Sequence, residues 1–195
     1  VRSGAEVVGV KLASGEVIEA QAVVLATEAP AASRLSGMPA PKGCLSSATV
    51  SFDAPEPVST EPILMLNGPG WGQVSHLVDS SLAAPSYAPK GRHLMTATVL
   101  GATQGDDLAF ARSVQAELKS WLPKANVEGW RPLRVDRIHY AQMPQPVGFM
   151  EALPSEATKT SGLFFAGEFT TYSSIDGAVL SGQRAADAVF SSLAR

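Results

Sequence analysis

Cysteine is nearly absent from this sequence, since Cys44 is the only one in 195 residues. A single thiol cannot form an internal disulfide, and it excludes a thiolate metal cluster. Histidine is also scarce, and His76, His93 and His139 lie far apart without the H-x-x-x-H spacing of a helical zinc site. We therefore predict no metal centre, and we interpret each histidine as structural or solvated.

Charge and long hydrophobic runs are limited as well. Only 17% of the residues are charged, the net charge is −3 and no run of Lys or Arg occurs, which argues against a nucleic-acid partner. No apolar run approaches the roughly 20 residues that cross a bilayer, so we predict no transmembrane segment. A hydrophobic content of 45% is typical of a soluble globular protein. The cytoplasm and a plastid both stay open as its compartment.

One catalytic motif and one cofactor-binding motif are missing. Without a G-x-S-x-G elbow a hydrolase triad has no support. No G-x-G-x-x-G follows a strand, so the loop that binds a dinucleotide pyrophosphate is absent. The chain also begins at Val1, with neither a methionine nor a signal peptide. We interpret it as part of a longer protein.

The most informative stretch is near the C-terminus. Residues Leu163 to Ala166 predict a short buried strand, Gly167 and Glu168 open a loop, and a helix is expected to start near Ser174. Backbone N–H groups and the positive dipole end of such a helix can hold a phosphate or an electron-rich ring oxygen. One helix face is mostly small and could approach a sheet or a flat ring: Ala178, Ser181, Gly182, Ala185, Ala186, Val189 and Leu193. The pattern predicts a cofactor site at a helix terminus, with an ordinary strand–loop–helix unit as the structural alternative.

The segment from Gly162 to Ala186 resembles the C-terminal signature of a superfamily of FAD-dependent enzymes, the amine oxidases, phytoene desaturases and protoporphyrinogen oxidases. That signature is an apolar strand, AG-(D/E), a short loop, S-I-(E/D/Q)-G-A and SG-x-x-AA. Its pieces match residues 165–168, 174–178 and 181–186 here. The resemblance implies FAD as cofactor. It also implies, as a partner, an upstream FAD-binding half of the same protein that carries the missing glycine-rich loop.

The resemblance also implies roles for single residues. In the family the acidic residue lies beside the ribityl or phosphate region of FAD, and the helix N-terminus points at the flavin ring. Cofactor-binding roles are thereby assigned to Gly167, Glu168, Ser174, Ile175 and Ala178. Two structural alternatives stay open: Glu168 could be an ordinary hydrogen-bonding loop carboxylate, and Ser173-x-x-Asp176 fits a capping box.

The first 36 residues support the same assignment. Residues 7–18 predict a hairpin, Ala22 to Ala26 predict a strand buried on both faces, and Pro30 can open a short helix. This region resembles the meander and returning strand of the family's FAD domain. The resemblance places the backbone of Val1 against adenine and Thr27 near the phosphates or the ring.

The middle of the chain differs from its two ends in its pattern of predicted elements. Candidate strands at residues 45–52, 63–66, 73–78, 93–100 and 133–140 accompany one helix at 106–122. The predicted fold class is α/β (α+β). Residues 1–36 and 155–195 would form the C-terminal portion of a Rossmann-like FAD-binding domain, interleaved with a mixed-sheet substrate-side subdomain at 37–154.

The expected function follows from the resemblance. Residues Ser86 to Gly101 and Ile138 to Phe149 resemble a desaturase-like branch, and we identify no aromatic pair of the kind that amine oxidases use to hold an amine. The chain is thus expected to be part of an FAD-dependent oxidoreductase that oxidises or desaturates a small or hydrophobic organic substrate by hydride transfer to flavin. No catalytic residue is assigned, and the fragment alone is expected to be inactive. The competing hypothesis is a non-catalytic half-chain that acts as a binding or interaction module.

Overall fold

Short strands dominate the two ends of the chain, and long strands dominate its middle. The structure is a computed structural model that describes residues 1–39, 43–68, 70–101 and 104–194. The strands are β1 Arg2–Ser3, β2 Glu6–Val7, β3 Gly9–Lys11, β4 Val17–Glu19, β5 Val23–Leu25, β6 Leu45–Ala54, β7 Leu64–Leu66, β8 Val74–Asp79, β9 His93–Leu100, β10 Arg131–Gln142 and β11 Leu163–Phe165. The α-helices are α1 Ala29–Ser36, α2 Ser80–Ala83, α3 Asp107–Trp121 and α4 Ile175–Leu193. Short 3₁₀ turns span Pro85–Tyr87, Val127–Gly129, Phe149–Ala152 and Glu168–Thr170.

The chain divides into two compact units. Unit 1 comprises Val1–Cys44 together with Gln142–Arg195, and unit 2 comprises Leu45–Ala141. The two ends of the chain therefore fold together, and the middle forms a unit of its own. This is the mixed α/β architecture that the sequence predicts. The assignment of residues 1–36 and 155–195 to FAD binding, and of 37–154 to the substrate, stays a prediction.

A parallel strand pair joins the beginning and the end of unit 1. Strand β11 pairs with β5 so that Phe164 lies opposite Val24. The N–H of Ala166 donates to the carbonyl of Leu25 at 3.1 Å, which extends the pairing beyond the strands. Residues 1–36 and 155–195, which the sequence assigns to one domain, thus contribute one strand each to this pair.

The burial of the two strands differs. All three residues of β11 are buried, whereas Val24 in the middle of β5 is 41% exposed. Among the described residues β5 pairs with no strand other than β11. The prediction that β5 is buried on both faces is therefore wrong for this chain, because nothing in the described part covers the outer side of Val24.

The N-terminal hairpin and helix form where the sequence predicts them. Strands β3 and β4 pair antiparallel around a turn in which Gly15 has a φ of +93°, a conformation that favours glycine. Pro30 lies in the first turn of α1, where its missing N–H costs no helical hydrogen bond.

Unit 2 is built on a five-stranded sheet in the order β10-β6-β9-β8-β7. The pairs β6–β9, β9–β8 and β8–β7 are antiparallel. Alternate residues of β6 are completely buried and pack in one core with the apolar face of α3; the β6 members are Ala48, Val50, Phe52 and Ala54. Helix α3 begins where Asp106 accepts a hydrogen bond from the N–H of Ala109 at 2.8 Å. The predicted elements of this region agree with the structure to within two residues at each end.

Helix α4 is the last element of unit 1. Its buried residues are Gly177, Ser181 and Ala185, which repeat every four positions and form one stripe. Ala178 and Gly182, which belong to the predicted small face, lie beside this stripe and are exposed. None of the helices in the described part of the chain has the length and apolar character that crossing a membrane requires.

Candidate cofactor site

The predicted site lies where β5 and β11 end. Because the two strands are parallel and in register, the chain leaves both at the same edge, which is where open α/β sheets bind ligands. A Cβ on Gly167 would lie 3.4 Å from the carbonyl oxygen of Thr27 and 2.7 Å from Cε1 of Phe169. The structure therefore brings Thr27 and Gly167 together, and only glycine fits at the second position without displacing a neighbour.

A ring of hydrogen bonds fixes the Gly167 peptide against α4. The N–H of Gly167 donates to Oγ of Ser181 at 2.7 Å, and Oγ1 of Thr170 donates to the carbonyl of Gly167 at 3.2 Å. The hydroxyls of Ser181 and Thr170 are 2.7 Å apart. Either hydroxyl can be the donor of that pair. Ser181 is completely buried, so this ring is shielded from water.

The start of α4 is held by two further side chains. Oγ of Ser174 accepts a hydrogen bond from the N–H of Gly177 at 2.9 Å, and buried Thr171 donates to the carbonyl of Gly177 at 2.8 Å. Ser174 is therefore the N-cap. The capping box proposed for Ser173-x-x-Asp176 is wrong, because the hydroxyl of Ser173 donates to Glu168 instead. A Cβ on Gly177 would lie 2.0 Å from the carbonyl oxygen of Tyr172, so any residue other than glycine would collide with that oxygen.

Two backbone donors at this helix end have no acceptor within the helix. The N–H groups of Ile175 and Asp176 belong to the first helical turn, so no carbonyl inside the helix can accept from them. Ile175 is 86% exposed, and Ala178 one turn later is exposed as well. The predicted residues Ser174, Ile175 and Ala178 thus frame an open helix terminus with a positive dipole end.

Glu168 is half-buried in the turn that precedes this helix. The hydroxyl of Ser173 donates to Oε2 of Glu168, and the N–H of Ser173 donates to Oε1 of Gln145 at 3.1 Å. A carboxylate has about four lone-pair positions, so one donor leaves acceptor capacity for a ligand hydroxyl. The loop carboxylate is thus oriented by its own chain and still able to bind.

Val1 lies in a different place. Its ammonium group donates to the carbonyl of Gly9 at 2.9 Å, and its carbonyl accepts from the N–H of Val8 at 3.1 Å. The structure therefore puts Val1 beside strand β3, whereas the other predicted residues surround the ends of β5 and β11 and the start of α4. Its contact with adenine stays a prediction.

Sequence reasoning did not predict the contacts by which several residues shape this loop. Ser181 stands in the SG-x-x-AA motif, and its small size had suggested only close packing. Thr171 and Gln145 belong to no motif with a known chemistry, and for Ser173 the sequence indicates only the capping box that the structure lacks. A polar side chain in an otherwise apolar stripe of α4 was the available signal for Ser181, because a buried hydroxyl needs a partner.

These groups fit the ring and ribityl end of a flavin. The two N–H donors at the start of α4 can meet ring oxygens, and the Glu168 carboxylate can accept from a hydroxyl. The small side chain of Ala178 keeps the surface beside the donors flat.

Unit 2 contains a cavity of about 750 Å³ between β7, the loop that follows it and the C-terminal end of α3. Its walls include Leu66, Trp121 and Leu122. The carboxylate of Glu117 also lines it, but its oxygens accept from the backbone N–H groups of Gln73 and Val74 at 2.9 and 3.0 Å. The surface that remains for a ligand is therefore mainly apolar.

The sequence matches the family described as flavin containing amine oxidoreductase over residues 1–190. The chain belongs to this family. The flavin in the family's description makes FAD the implied cofactor, and the resemblance noted in the sequence is confirmed. No curated protein matches the chain.

Solved structures share the fold at low sequence identity. An oxidoreductase from Methanosarcina mazei matches 96% of this chain with a TM-score of 0.65 and 17% identity, over 47% of its own length. A candidate protoporphyrinogen oxidase from Exiguobacterium sp. 255-15 matches 94% with a TM-score of 0.64 and 15% identity, over 43% of its length. A protein from Pyrococcus furiosus matches 92% with a TM-score of 0.60 and 12% identity, over 43% of its length. The chain thus spans less than half of each of these structures.

Proposed function

We propose that this chain is the second half of an FAD-dependent oxidoreductase that oxidises or desaturates a small or hydrophobic organic substrate. The observation that carries the proposal is the loop between β11 and α4, where Gly167, Glu168 and the open start of α4 lie together in a member of a flavin family. Bound flavin supplies a two-electron acceptor for a hydride from a substrate C–H bond. The chain's own residues bind and orient that cofactor.

The other half of the enzyme would carry the strand, the G-x-G-x-x-G loop and the helix that grip the FAD pyrophosphate. Two observations support this. The chain covers 47% or less of the solved structures that it resembles. Val24 on β5 is 41% exposed, although apolar strands of parallel sheets are normally covered. We call the protein that unites both halves the complete enzyme.

In the complete enzyme we assign a separate part of FAD to each residue. The amides of Ile175 and Asp176 would donate to ring oxygens, with Ser174 keeping the helix end open and Ala178 flanking the ring. Glu168 would accept from a ribityl or ribose hydroxyl. Thr27 and Gly167 would lie along the phosphate and ribityl region, and the backbone of Val1 would meet adenine.

The substrate would bind to unit 2. The apolar cavity beside β7 supports a hydrophobic substrate, because its charged lining residue, Glu117, is already satisfied by backbone donors. Replacing exposed Leu66 with serine should raise KM for such a substrate. The matched control is Leu100→Ser, which changes an equally exposed leucine outside the cavity and should leave KM unchanged.

The test of the cofactor assignment is FAD affinity in the complete enzyme. A hydrogen bond to a charged acceptor contributes about 1.5–3 kcal/mol, so Glu168→Ala should weaken FAD binding roughly ten- to a hundredfold. Glu168→Gln should lose less, because the amide oxygen still accepts. A Glu168→Ala enzyme that keeps its full flavin after gel filtration would make Glu168 a structural residue only.

A further inference from the structure

Ser173 lies between two side chains that come from distant parts of the sequence. Its N–H donates to Gln145, which follows β10, and its hydroxyl donates to Glu168, which follows β11. Gln145 thus holds the backbone of Ser173 in the position from which the hydroxyl reaches the carboxylate. The three residues form a chain of two hydrogen bonds that ends at Glu168, the predicted cofactor-binding residue.

The neighbouring serine has a different partner. Ser174 caps α4 through the N–H of Gly177 at 2.9 Å, whereas Ser173 makes no cap. Two adjacent serines therefore separate two tasks: Ser174 stabilises the helix, and Ser173 orients Glu168. This separation lets their effects be measured independently.

A glutamate side chain loses rotamer freedom whenever it binds a ligand in one orientation. A donor that already fixes one carboxylate oxygen removes part of that loss before the ligand arrives, which strengthens binding. We propose that Ser173, held in place by Gln145, is a positioning residue that presents Glu168 to the flavin cofactor. The inference rests on the proposed function, since it requires that Glu168 contact FAD.

The experiment compares FAD dissociation constants and apoprotein melting temperatures in the complete enzyme. Ser173→Ala should weaken FAD binding about three- to tenfold, because part of the rotamer freedom of Glu168 returns, with little change in apoprotein melting. Ser173→Thr retains the hydroxyl and should restore most of the affinity. Gln145→Ala should reproduce part of the loss. Ser174→Ala should instead lower the melting temperature, because it removes the helix cap.

The decisive comparison introduces Ser173→Ala into an enzyme that already carries Glu168→Ala. If Ser173 acts through Glu168, the second substitution adds no further loss of FAD affinity. An equal loss in both backgrounds, or no loss in the otherwise natural enzyme, would overturn the inference while leaving the Glu168 assignment intact. No loss of affinity from Glu168→Ala alone would overturn that assignment, and the inference with it.

Discussion

The backbone N–H of Gly167 donates to the hydroxyl of Ser181 at 2.7 Å, and this bond ties the loop after β11 to the helix that follows it. The two residues are 14 positions apart, and Ser181 is completely buried. The loop that we assign to the cofactor is therefore fixed from the inside of unit 1, which leaves its outer surface available.

Ser181→Ala should destabilise the 195-residue chain. The substitution leaves the N–H of Gly167 without its acceptor and removes one of the two partners of the Thr170 hydroxyl, and a buried unpaired group costs about 1–3 kcal/mol. Urea denaturation measures the free energy of unfolding. Ser192→Ala changes an exposed serine of the same helix and should have little effect. Equal stabilities of the two variants would show that the buried ring does not hold the loop.

Two glycines of α4 should respond in opposite ways to alanine. At Gly177 the new Cβ would meet the carbonyl oxygen of Tyr172 at 2.0 Å, and such overpacking costs typically about 1–3 kcal/mol. At Gly182 no atom outside the helix lies within 4 Å of the new Cβ, so alanine should stabilise the helix by about 0.5–1 kcal/mol. Thermal melts of both variants test this. A stabilised Gly177→Ala chain would mean that α4 does not start as described.

Ala178→Leu should affect the cofactor and spare the fold. Ala178 is exposed in this chain, so the apoprotein should melt as before. In the complete enzyme the leucine would enter the space assigned to the ring, and an overpacking cost of about 1–3 kcal/mol corresponds to a roughly 5- to 150-fold loss of FAD affinity. Val179→Leu, at a neighbouring position that is 68% exposed, should be milder. Full flavin content in the Ala178→Leu enzyme would place the ring elsewhere.

The acid stability of unit 2 should depend on Asp53. A hydrogen bond from Arg92 at 2.6 Å, and a second from Arg131 at 3.0 Å, outweigh partial burial and lower the pKa of Asp53 below its ordinary value. A lowered pKa contributes stability that is complete above the ordinary pKa, near 4, and is lost as the pH falls through the lowered one. Between about pH 5 and about pH 3 the free energy of unfolding should therefore fall more for the natural chain than for the Asp53→Asn variant. Urea melts across this range measure the difference, and parallel curves would contradict it.

Local patterns were enough to predict most of the elements. Proline at residue 30, Asp106 ahead of α3 and the alternation along β6 each act within a few residues, so their consequences can be read from the sequence. The packing of the β5 segment against the β11 segment could be expected because both are short apolar runs that feed a helix. Their burial could not, because the exposure of Val24 depends on which strands lie next to β5.

The site was predictable in outline and not in its internal contacts. The family motif located Gly167, Glu168 and Ser174 in one loop, yet it could not tell which of two adjacent serines caps α4. That choice depends on the extended backbone of Ser174, with φ −163° and ψ 168°. The link from Gln145 to Ser173 spans 28 residues, and no spacing in the sequence indicates it.

The flavin content of the complete enzyme tests the central claim most directly. Absorbance spectra and fluorescence titration with FAD would be compared for the complete enzyme and for residues 1–195 alone. We expect about one tightly bound FAD per complete enzyme, and weak or no binding by the 195-residue chain, which lacks the pyrophosphate loop. A folded complete enzyme that neither contains nor binds FAD would contradict the account, and so would submicromolar FAD binding by residues 1–195 alone.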